Sequence, residues 1–273
     1  MSNGSSENSE LRGALALVTG ASSGIGAAYA RLLAKRGCNV VLVARRVERL
    51  ERLAAELRDE FGVEVHAIAG DLGDPDTPAR LFEEVTAIAE LRVLVNNAGL
   101  GIYNDFLDGD LDTQLNTLDV NSRALMEMCW RFGTHMREHG KRSWISNVAS
   151  IAAYQATPKY AAYSASKYFV RVFSETWAHE LRGSNLTVSC LCPGATYSEF
   201  VEKSGNEITA KGHAVFMTAE AVAEIGIRGM LRGKTIVVPG GINKLACFLP
   251  RFAPAQLSLS VAEMAMDRNV QKA

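Results

Sequence analysis

Residues 14–26, ALALVTGASSGIG, decide how the rest of the chain is read. The first six form a short apolar run without polar alternation, which predicts a strand covered on both faces, as in a parallel sheet. Gly20, Gly24 and Gly26 follow at once, and a helical pattern then runs to about Arg36 and stops at Gly37, a usual residue just past a helix C-terminus. A glycine-rich turn between strand and helix is the setting a dinucleotide requires. Backbone must come close to the pyrophosphate, and the helix N-terminus favours its charge. The spacing is G-x3-G-x-G rather than G-x-G-x2-G, so the context of strand, turn and helix carries the reading. Gly20, Ser22, Ser23, Gly24, Ile25 and Gly26 are the candidate contacts.

The alternation repeats. Residues 39–44 predict the next strand, after which Leu50, Leu53, Ala54, Leu57 and Phe61 recur at helical spacing up to Gly62. Residues 63–69 predict a third strand, 76–90 a helix with Pro78 in its first turn, and 93–96 a fourth strand ending in NNAG. A long helix carrying Leu111, Leu115, Leu118, Leu125 and Phe132 leads to a strand at 144–148 and a helix over 157–175. A strand at 186–191, a helix over 219–231 and a last strand at 235–238 complete the pattern. With right-handed crossovers, this predicts an α/β doubly wound Rossmann fold: a seven-stranded parallel sheet with helices on both faces.

The catalytic domain so defined spans 11–242. Residues 1–10 read as a flexible polar tail without the basic or apolar run of a signal peptide or membrane anchor. Residues 243–273 read as a C-terminal helical extension, with one apolar stripe at Leu245, Phe248, Leu249 and Phe252 and a second at Leu257, Val261 and Met264. Helices packed on the domain or on a partner subunit, a lid over a substrate mouth, and a membrane-surface contact all fit this pattern.

A chain of 273 residues that is 48% hydrophobic can bury one large core, and a net charge of -1 leaves no basic excess for nucleic acid. No run approaches the roughly 20 apolar residues needed to span a bilayer. Cys38, Cys129, Cys190, Cys192 and Cys247 lack CxxC spacing, which predicts buried, reduced thiols, a cytoplasmic setting and no metal site. His135 and His139 are four apart, but HMREH lacks the order of a zinc helix and a third ligand, so they read as a solvated helix terminus.

At the end of the second strand, a carboxylate would accept hydrogen bonds from a ribose diol and select NAD. Ala44 stands there instead, followed by Arg45 and Arg46, and a guanidinium fork matches phosphate, which favours NADP (NADPH). Further on, Tyr163 and Lys167 stand four apart, on one helix face. A positive charge about 4–5 Å from a phenol, at an effective dielectric of about 20, favours the phenolate by about 3–4 kcal/mol. That would bring the tyrosine toward the range where a general acid/base works. Alone, such a pair is more often a surface contact, and the other motifs have to support it.

With these residues in view, the chain resembles the short-chain dehydrogenases/reductases. TGASSGIG at 19–26, NNAG at 96–99, Asn121, Ser150, the Tyr163-x3-Lys167 pair and Pro193-Gly194 stand in that family's order and spacing, over roughly residues 11–240. The resemblance implies that Tyr163 delivers or removes the proton of the substrate oxygen as hydride is transferred. It implies that Lys167 lowers the pKa of Tyr163 and holds the nicotinamide ribose, and that Ser150 hydrogen-bonds the substrate oxygen. Asn121 would hold a water linking Lys167 to solvent. Further cofactor contacts are implied for Asp71 and Leu72 near the adenine, for Asn97, Ala98 and Gly99 along a cleft supported by Asn96, and for Pro193, Gly194 and Thr196 at the nicotinamide end. The family commonly assembles through the helices that here carry Asn121 and Tyr163, which implies a homodimer or homotetramer. Ala149 where a second serine is common, Ile151-Ala152-Ala153 where glycine is frequent, and Ser198 where threonine is usual depart from the pattern and bear on substrate orientation.

Leu100, Ile102, Tyr103, Tyr154, Tyr160, Tyr197 and Phe200, with residues 215–217 closing a loop, surround the expected mouth. Such a lining suits a hydrophobic ketone or aldehyde and its alcohol. Two other readings share the sequence: the same chemistry with NAD, and a nucleotide-sensing binding protein. The second would have no need of Asn121, Ser150, Tyr163 and Lys167 together.

Overall fold

Strands buried along nearly their whole length need a layer of helices on each face. In a computed structural model describing residues 10–200, 204, 206–209, 213 and 215–272, the chain supplies both layers. β1 (Leu15–Thr19) leads through the glycine turn into α1 (Gly24–Lys35), followed by β2 (Asn39–Ala44), α2 (Val47–Phe61), β3 (Val65–Ala69), α3 (Thr77–Ile88) and β4 (Leu91–Asn96). Next come α4 (Leu111–Leu118), α5 (Leu125–Glu138), β5 (Ser143–Val148), α6 (Ala161–Glu180), β6 (Leu186–Leu191) and β7 (Asn206–Ile208). The chain continues through α7 (Ala219–Leu231), β8 (Ile236–Val237), α8 (Gly241–Phe248), α9 (Ala255–Asn269) and β9 (Val270–Lys272). One seven-stranded sheet runs in the order β3-β2-β1-β4-β5-β6-β8, parallel throughout. The order reverses between β1 and β4, and there the loops leaving the strand ends part to form a crevice.

The period-2 geometry of a strand sorts the core into two halves. Ala16 and Val18 face Tyr29 and Leu33 of α1, Leu50 and Leu57 of α2, and Ile227 and Met230 of α7. Leu15 and Leu17 face Leu81 and Val85 of α3, Met128 and Phe132 of α5, and Val170 of α6. Buried hydrogen bonds tie these layers together. The Tyr29 hydroxyl lies 3.1 Å from Ser146 Oγ, while Asn96 Nδ2 donates to Asn147 Oδ1 (2.9 Å) and Asn147 Nδ2 donates to Ser174 Oγ (3.0 Å). Asn96 therefore belongs to the core between β4, β5 and α6 rather than to the cleft.

Several elements differ from the sequence expectation. The long helix is divided by a π-helical turn over Asp119–Ala124. Leu125 and Phe132 are buried, but Leu111, Leu115 and Leu118 are exposed, with Gln114 and Thr117 turned inward instead. Helical spacing marks a stripe without saying whether anything covers it. The last sheet strand is only Ile236–Val237, and β7 pairs antiparallel with β9, an element that no periodicity signals. In α8, α9 and the turn between them, both predicted apolar stripes point outward, and the inner sides carry small residues such as Cys247 and Ala262. Small side chains let the helices approach closely.

His135 and His139 are half-buried rather than solvated: their rings pack edge-on at 5.2 Å, His135 also meets Phe82, and His139 Nε2 lies 3.0 Å from the Leu91 carbonyl. Burial holds the His135 pKa below its usual value. Among the described residues no group of three or more His, Cys, Asp or Glu can hold a metal, and no helix is long and apolar enough to cross a membrane. All five cysteines are free and buried. Residues 1–9 of the expected tail lie outside the described residues.

The Tyr29–Ser146 link generates a prediction. Tyr29→Phe leaves the buried Ser146 hydroxyl without this partner and is expected to lower stability by about 1–2 kcal/mol in urea unfolding. Unchanged stability would show that the link contributes nothing.

Candidate active site

The crevice begins where β1 ends. Gly20 (φ +64°) and Gly24 (φ +55°) adopt the left-handed conformation that glycine accepts readily. Asn97, just past β4, holds the turn: its Nδ2 donates to the carbonyls of Thr19 (3.0 Å) and Gly20 (3.3 Å). In return Thr19 Oγ1 accepts from the N–H groups of Asn97 (3.0 Å) and Ala98 (3.1 Å). The two loops flanking the switch point are thereby locked to each other. A side chain at Gly26 would strike the Gly20 carbonyl, so Gly26 lets α1 start directly behind the turn and does not face the cleft.

A cavity of about 540 Å³ opens at this edge of the sheet. It is lined by Gly20, Ser22, Ser23, Gly24 and Ile25 after β1, Arg45 and Arg46 after β2, Asp71 and Leu72 after β3, and Asn97, Ala98 and Gly99 after β4. Ser150 follows β5, Tyr163 and Lys167 come from α6, and Pro193, Gly194 and Thr196 follow β6. Residues far apart in sequence meet because every loop leaves the same edge of a parallel sheet.

One end of the cavity is cationic. Arg46 Nη2 donates to Ser22 Oγ (2.9 Å) and Ser23 Oγ (3.2 Å), and its Nη1 donates to Glu199 Oε2 (2.8 Å). Arg49 also donates to Glu199. Arg45 lies 3.8 Å from the Asp71 carboxylate, which accepts from the Gly73 N–H. A dinucleotide fits these residues: the glycine turn lines the cavity beside a helix N-terminus, and guanidinium groups stand at the end of β2. Sequence reasoning passed over Arg49 and Glu199. Arg49 was readable as the residue three after Arg46 on the same helix face, whereas Glu199 carried no local signal.

The other end is desolvated. α6 turns Ser164, Ser166 and Ser174 toward the core, and these short side chains let the helix settle close enough to bury Lys167. Lys167 Nζ donates to the Val148 carbonyl (3.0 Å) and lies 5.6 Å from the centre of the Tyr163 ring. Loss of water lowers the Lys167 pKa to about 8. Burial pushes the Tyr163 phenol above its ordinary value, against the opposing effect of its hydrogen bond with Ser150. Desolvation is thus the largest influence on the Tyr163 phenol, and the group that opposes it is Ser150.

Asn121 sits on the π-helical turn and does not line the cavity. Its Oδ1 accepts from the Leu100 N–H (2.8 Å), and its Nδ2 donates to the Leu100 carbonyl (2.8 Å) and to Ser166 Oγ (2.9 Å). A Cβ at Gly99 would lie 3.3 Å from both Asn121 Oδ1 and Lys167 Nζ, so Gly99 separates the two. Ser150 Oγ accepts from the Ala152 N–H (3.1 Å), which orients it at the end of β5.

An aromatic row crosses the substrate end: Tyr103–Tyr160 (5.1 Å between centroids), Tyr160–Tyr163 (5.2 Å) and Tyr163–Phe200 (5.4 Å). Of the residues predicted at the mouth, Leu100, Tyr160, Phe200 and Phe216 line the cavity, while Ile102, Tyr103, Tyr154, Tyr197, Val215 and Met217 do not. Tyr154 instead packs under the Arg171 guanidinium (4.7 Å), and Tyr197 packs on Phe216 (5.1 Å). Gln155, Thr157, Ala246, Ala262, Ala265 and Met266 are among the further lining residues that no motif marked. Four of these six come from α8 and α9, the region for which a lid over the mouth was one of the arrangements the sequence allowed.

A glycine turn backed by arginines at one end of a crevice, and a buried Ser-Tyr-Lys group at the other, define a nucleotide-dependent oxidoreductase. Residues 14–209 match the family model described as short chain dehydrogenase, and the chain belongs to the short-chain dehydrogenase/reductase family, whose members act on alcohols and ketones. It is similar to nodulation protein G of Rhizobium sp. (strain N33), 36% identical over 251 residues that cover 85% of this chain and 98% of that one. Farnesol dehydrogenase of Aedes aegypti is 35% identical over 218 residues, covering 78% and 87% respectively. Among solved structures, a short-chain dehydrogenase from Sphingobium yanoikuyae in complex with NADPH has a TM-score of 0.78 at 29% identity, over 88% of this chain and 96% of that one.

The buried lysine sets a pH-dependent expectation. Its folded pKa lies below its unfolded value of 10.5, so the folded state binds fewer protons than the unfolded state between about pH 8 and pH 10.5, and the cost of burying the charge is relieved across that window. In the nucleotide-free protein, Lys167→Met is expected to be more stable than wild type by about 3 kcal/mol at pH 7, less the lost bond to Val148. The advantage should fade toward pH 10.5 in urea melts at several pH values. A difference that is constant with pH would contradict the lowered pKa.

Proposed function

We propose that the protein is an NADP(H)-dependent oxidoreductase that interconverts a hydrophobic ketone or aldehyde and its alcohol. The observation that carries this reading is the meeting, in one cavity, of the arginines after β2 with Ser150, Tyr163 and Lys167. Gly20, Ser22, Ser23, Gly24 and Ile25 would hold the pyrophosphate, Arg45 and Arg46 a 2′-phosphate, and Asp71 and Leu72 the adenine. Asn97, Ala98 and Gly99 would line the middle, with Pro193, Gly194 and Thr196 at the nicotinamide end. When bound, the nicotinamide supplies or accepts the hydride.

The chain's own residues handle the proton. Burial keeps the Tyr163 phenol protonated, the form that can donate to a carbonyl oxygen as negative charge develops there. Ser150, held at the end of β5 by the Ala152 N–H and close enough to Tyr163 to favour its phenolate, offers a second hydroxyl to the same oxygen. Lys167 keeps its charge at neutral pH and, in a dry pocket, favours the phenolate left after donation. Asn121 positions the Gly99–Leu100 backbone beside Lys167.

Leu100, Ile151, Tyr160, Phe200, Phe216 and Met266 make the substrate end apolar, and the name of the Aedes aegypti relative, farnesol dehydrogenase, supports a hydrophobic substrate class. In this reading residues 11–242 are the catalytic domain, and α8, which starts at its end, and α9, within 243–273, wall the substrate end. Buried free thiols favour a cytoplasmic setting. Exposed Leu111, Leu115, Met126, Trp130, Phe169 and Val172 on α4, α5 and α6 favour a homodimer or homotetramer.

A panel of apolar ketones and alcohols followed by NADPH absorbance tests the chemistry. Tyr163→Phe is expected to lower kcat by about 10³-fold while NADPH still binds. Arg46→Ala should raise the KM for NADPH by about 10- to 100-fold and leave that for NADH unchanged. Full activity in Tyr163→Phe, or equal kcat/KM with NADPH and NADH in the wild type, would sink the proposal. Light scattering should give a dimer or tetramer that Trp130→Glu weakens, and a monomeric wild type would contradict the assembly.

A further inference from the structure

Residues 198–200 cross the cavity from its cationic end to its tyrosine. Ser198 rests on the glycine turn, so closely that a Cβ placed at Gly24 would lie 2.9 Å from Ser198 Cβ. Glu199 reaches the arginines, with one carboxylate oxygen 2.8 Å from Arg46 Nη1 and the other on Arg49. The Phe200 ring packs on Tyr163 at 5.4 Å between centroids. Three consecutive residues thus touch the turn, the arginines and the phenol. They span at most about 10 Å of chain, so the backbone path of Glu199 is tied to that of Phe200.

The Arg46 guanidinium presents two edges. Nη2 is engaged by Ser22 and Ser23 on the glycine turn, while Nη1 is engaged by Glu199. A phosphate that takes the Nη1 edge must displace the carboxylate, because two anions on one fork repel. We infer that Glu199 stands in for a 2′-phosphate: its carboxylate, shared by Arg46 and Arg49, holds the 198–200 strap across the cavity until a 2′-phosphorylated nucleotide takes both arginines. Release of Glu199 then draws Phe200 off Tyr163 and opens the substrate end. This rests on the NADP reading above and adds a specificity-determining residue to it. A nucleotide without the 2′-phosphate leaves the strap in place, so selection for NADP(H) acts on access to the substrate pocket as well as on nucleotide affinity.

The test uses the full chain, adenosine 2′,5′-bisphosphate and 5′-AMP, with calorimetry and amide hydrogen exchange. Glu199→Gln, which removes the competing charge, is expected to bind the bisphosphate about 10-fold tighter than wild type and 5′-AMP with unchanged affinity. Exchange at residues 198–200 should rise in the wild type with the bisphosphate but not with 5′-AMP, and should already be high in Glu199→Gln. If the wild type prefers the bisphosphate while Glu199→Gln changes neither affinity nor exchange, the strap is overturned and the NADP reading stands. If the wild type binds both nucleotides equally and Arg46→Ala alters neither, both fall.

Discussion

A lysine ammonium removed from water is the constraint around which the rest of the structure is arranged. Lys167 is 4% exposed, and its polar partner at hydrogen-bond distance is the carbonyl of Val148, a dipole rather than a countercharge. A lysine can be held there only if α6 lies close on β5 and β6, which the small residues Ser164, Ser166 and Ser174 permit. The Asn96–Asn147–Ser174 hydrogen bonds then fix the spacing of those layers. The desolvation cost, about 3 kcal/mol at neutral pH, is carried by a core buried on both faces of the sheet.

Opposed shifts follow from that burial. Burial makes Tyr163 a weaker acid and Lys167 a stronger one, so both lean toward their neutral forms. A low-dielectric pocket is also where each fixed dipole acts most strongly on charge that appears during reaction. At the far end of the same cavity the charges keep partial access to water and are already paired, half-buried Arg46 and Arg49 with Glu199 and exposed Arg45 with Asp71. One end is tuned by desolvation and the other by competition among ions. The strap at 198–200 is the physical connection between them.

Much of this was legible in the sequence. Uninterrupted apolar strands, the glycine turn and the alternation of periods predicted the parallel sheet, and the motifs TGASSGIG, NNAG, Ser150, Tyr163 and Lys167 pointed to residues most of which line one cavity, with Thr19, Gly26, Asn96 and Asn121 behind it. What escaped depends on three-dimensional packing. Periodicity placed Leu111, Leu115, Leu118 and the stripes of α8 and α9 on helices, but it could not tell a covered face from a bare one. The Tyr163–Lys167 spacing gave proximity without the degree of desolvation, which sets the sign of the tyrosine's shift. Glu199 and Met266 act from segments whose path over the cleft no local pattern encodes.

Hydride transfer at this cleft is tested most directly by a single turnover. Enzyme loaded with NADPH fully deuterated at C4 of the nicotinamide is mixed with an apolar ketone, and the alcohol formed is examined by mass spectrometry and NMR. The expected result is deuterium on the carbinol carbon in step with nucleotide oxidised, lost together with turnover in Tyr163→Phe. Alcohol without deuterium, or no oxidation of NADPH by any apolar ketone or aldehyde, would contradict it.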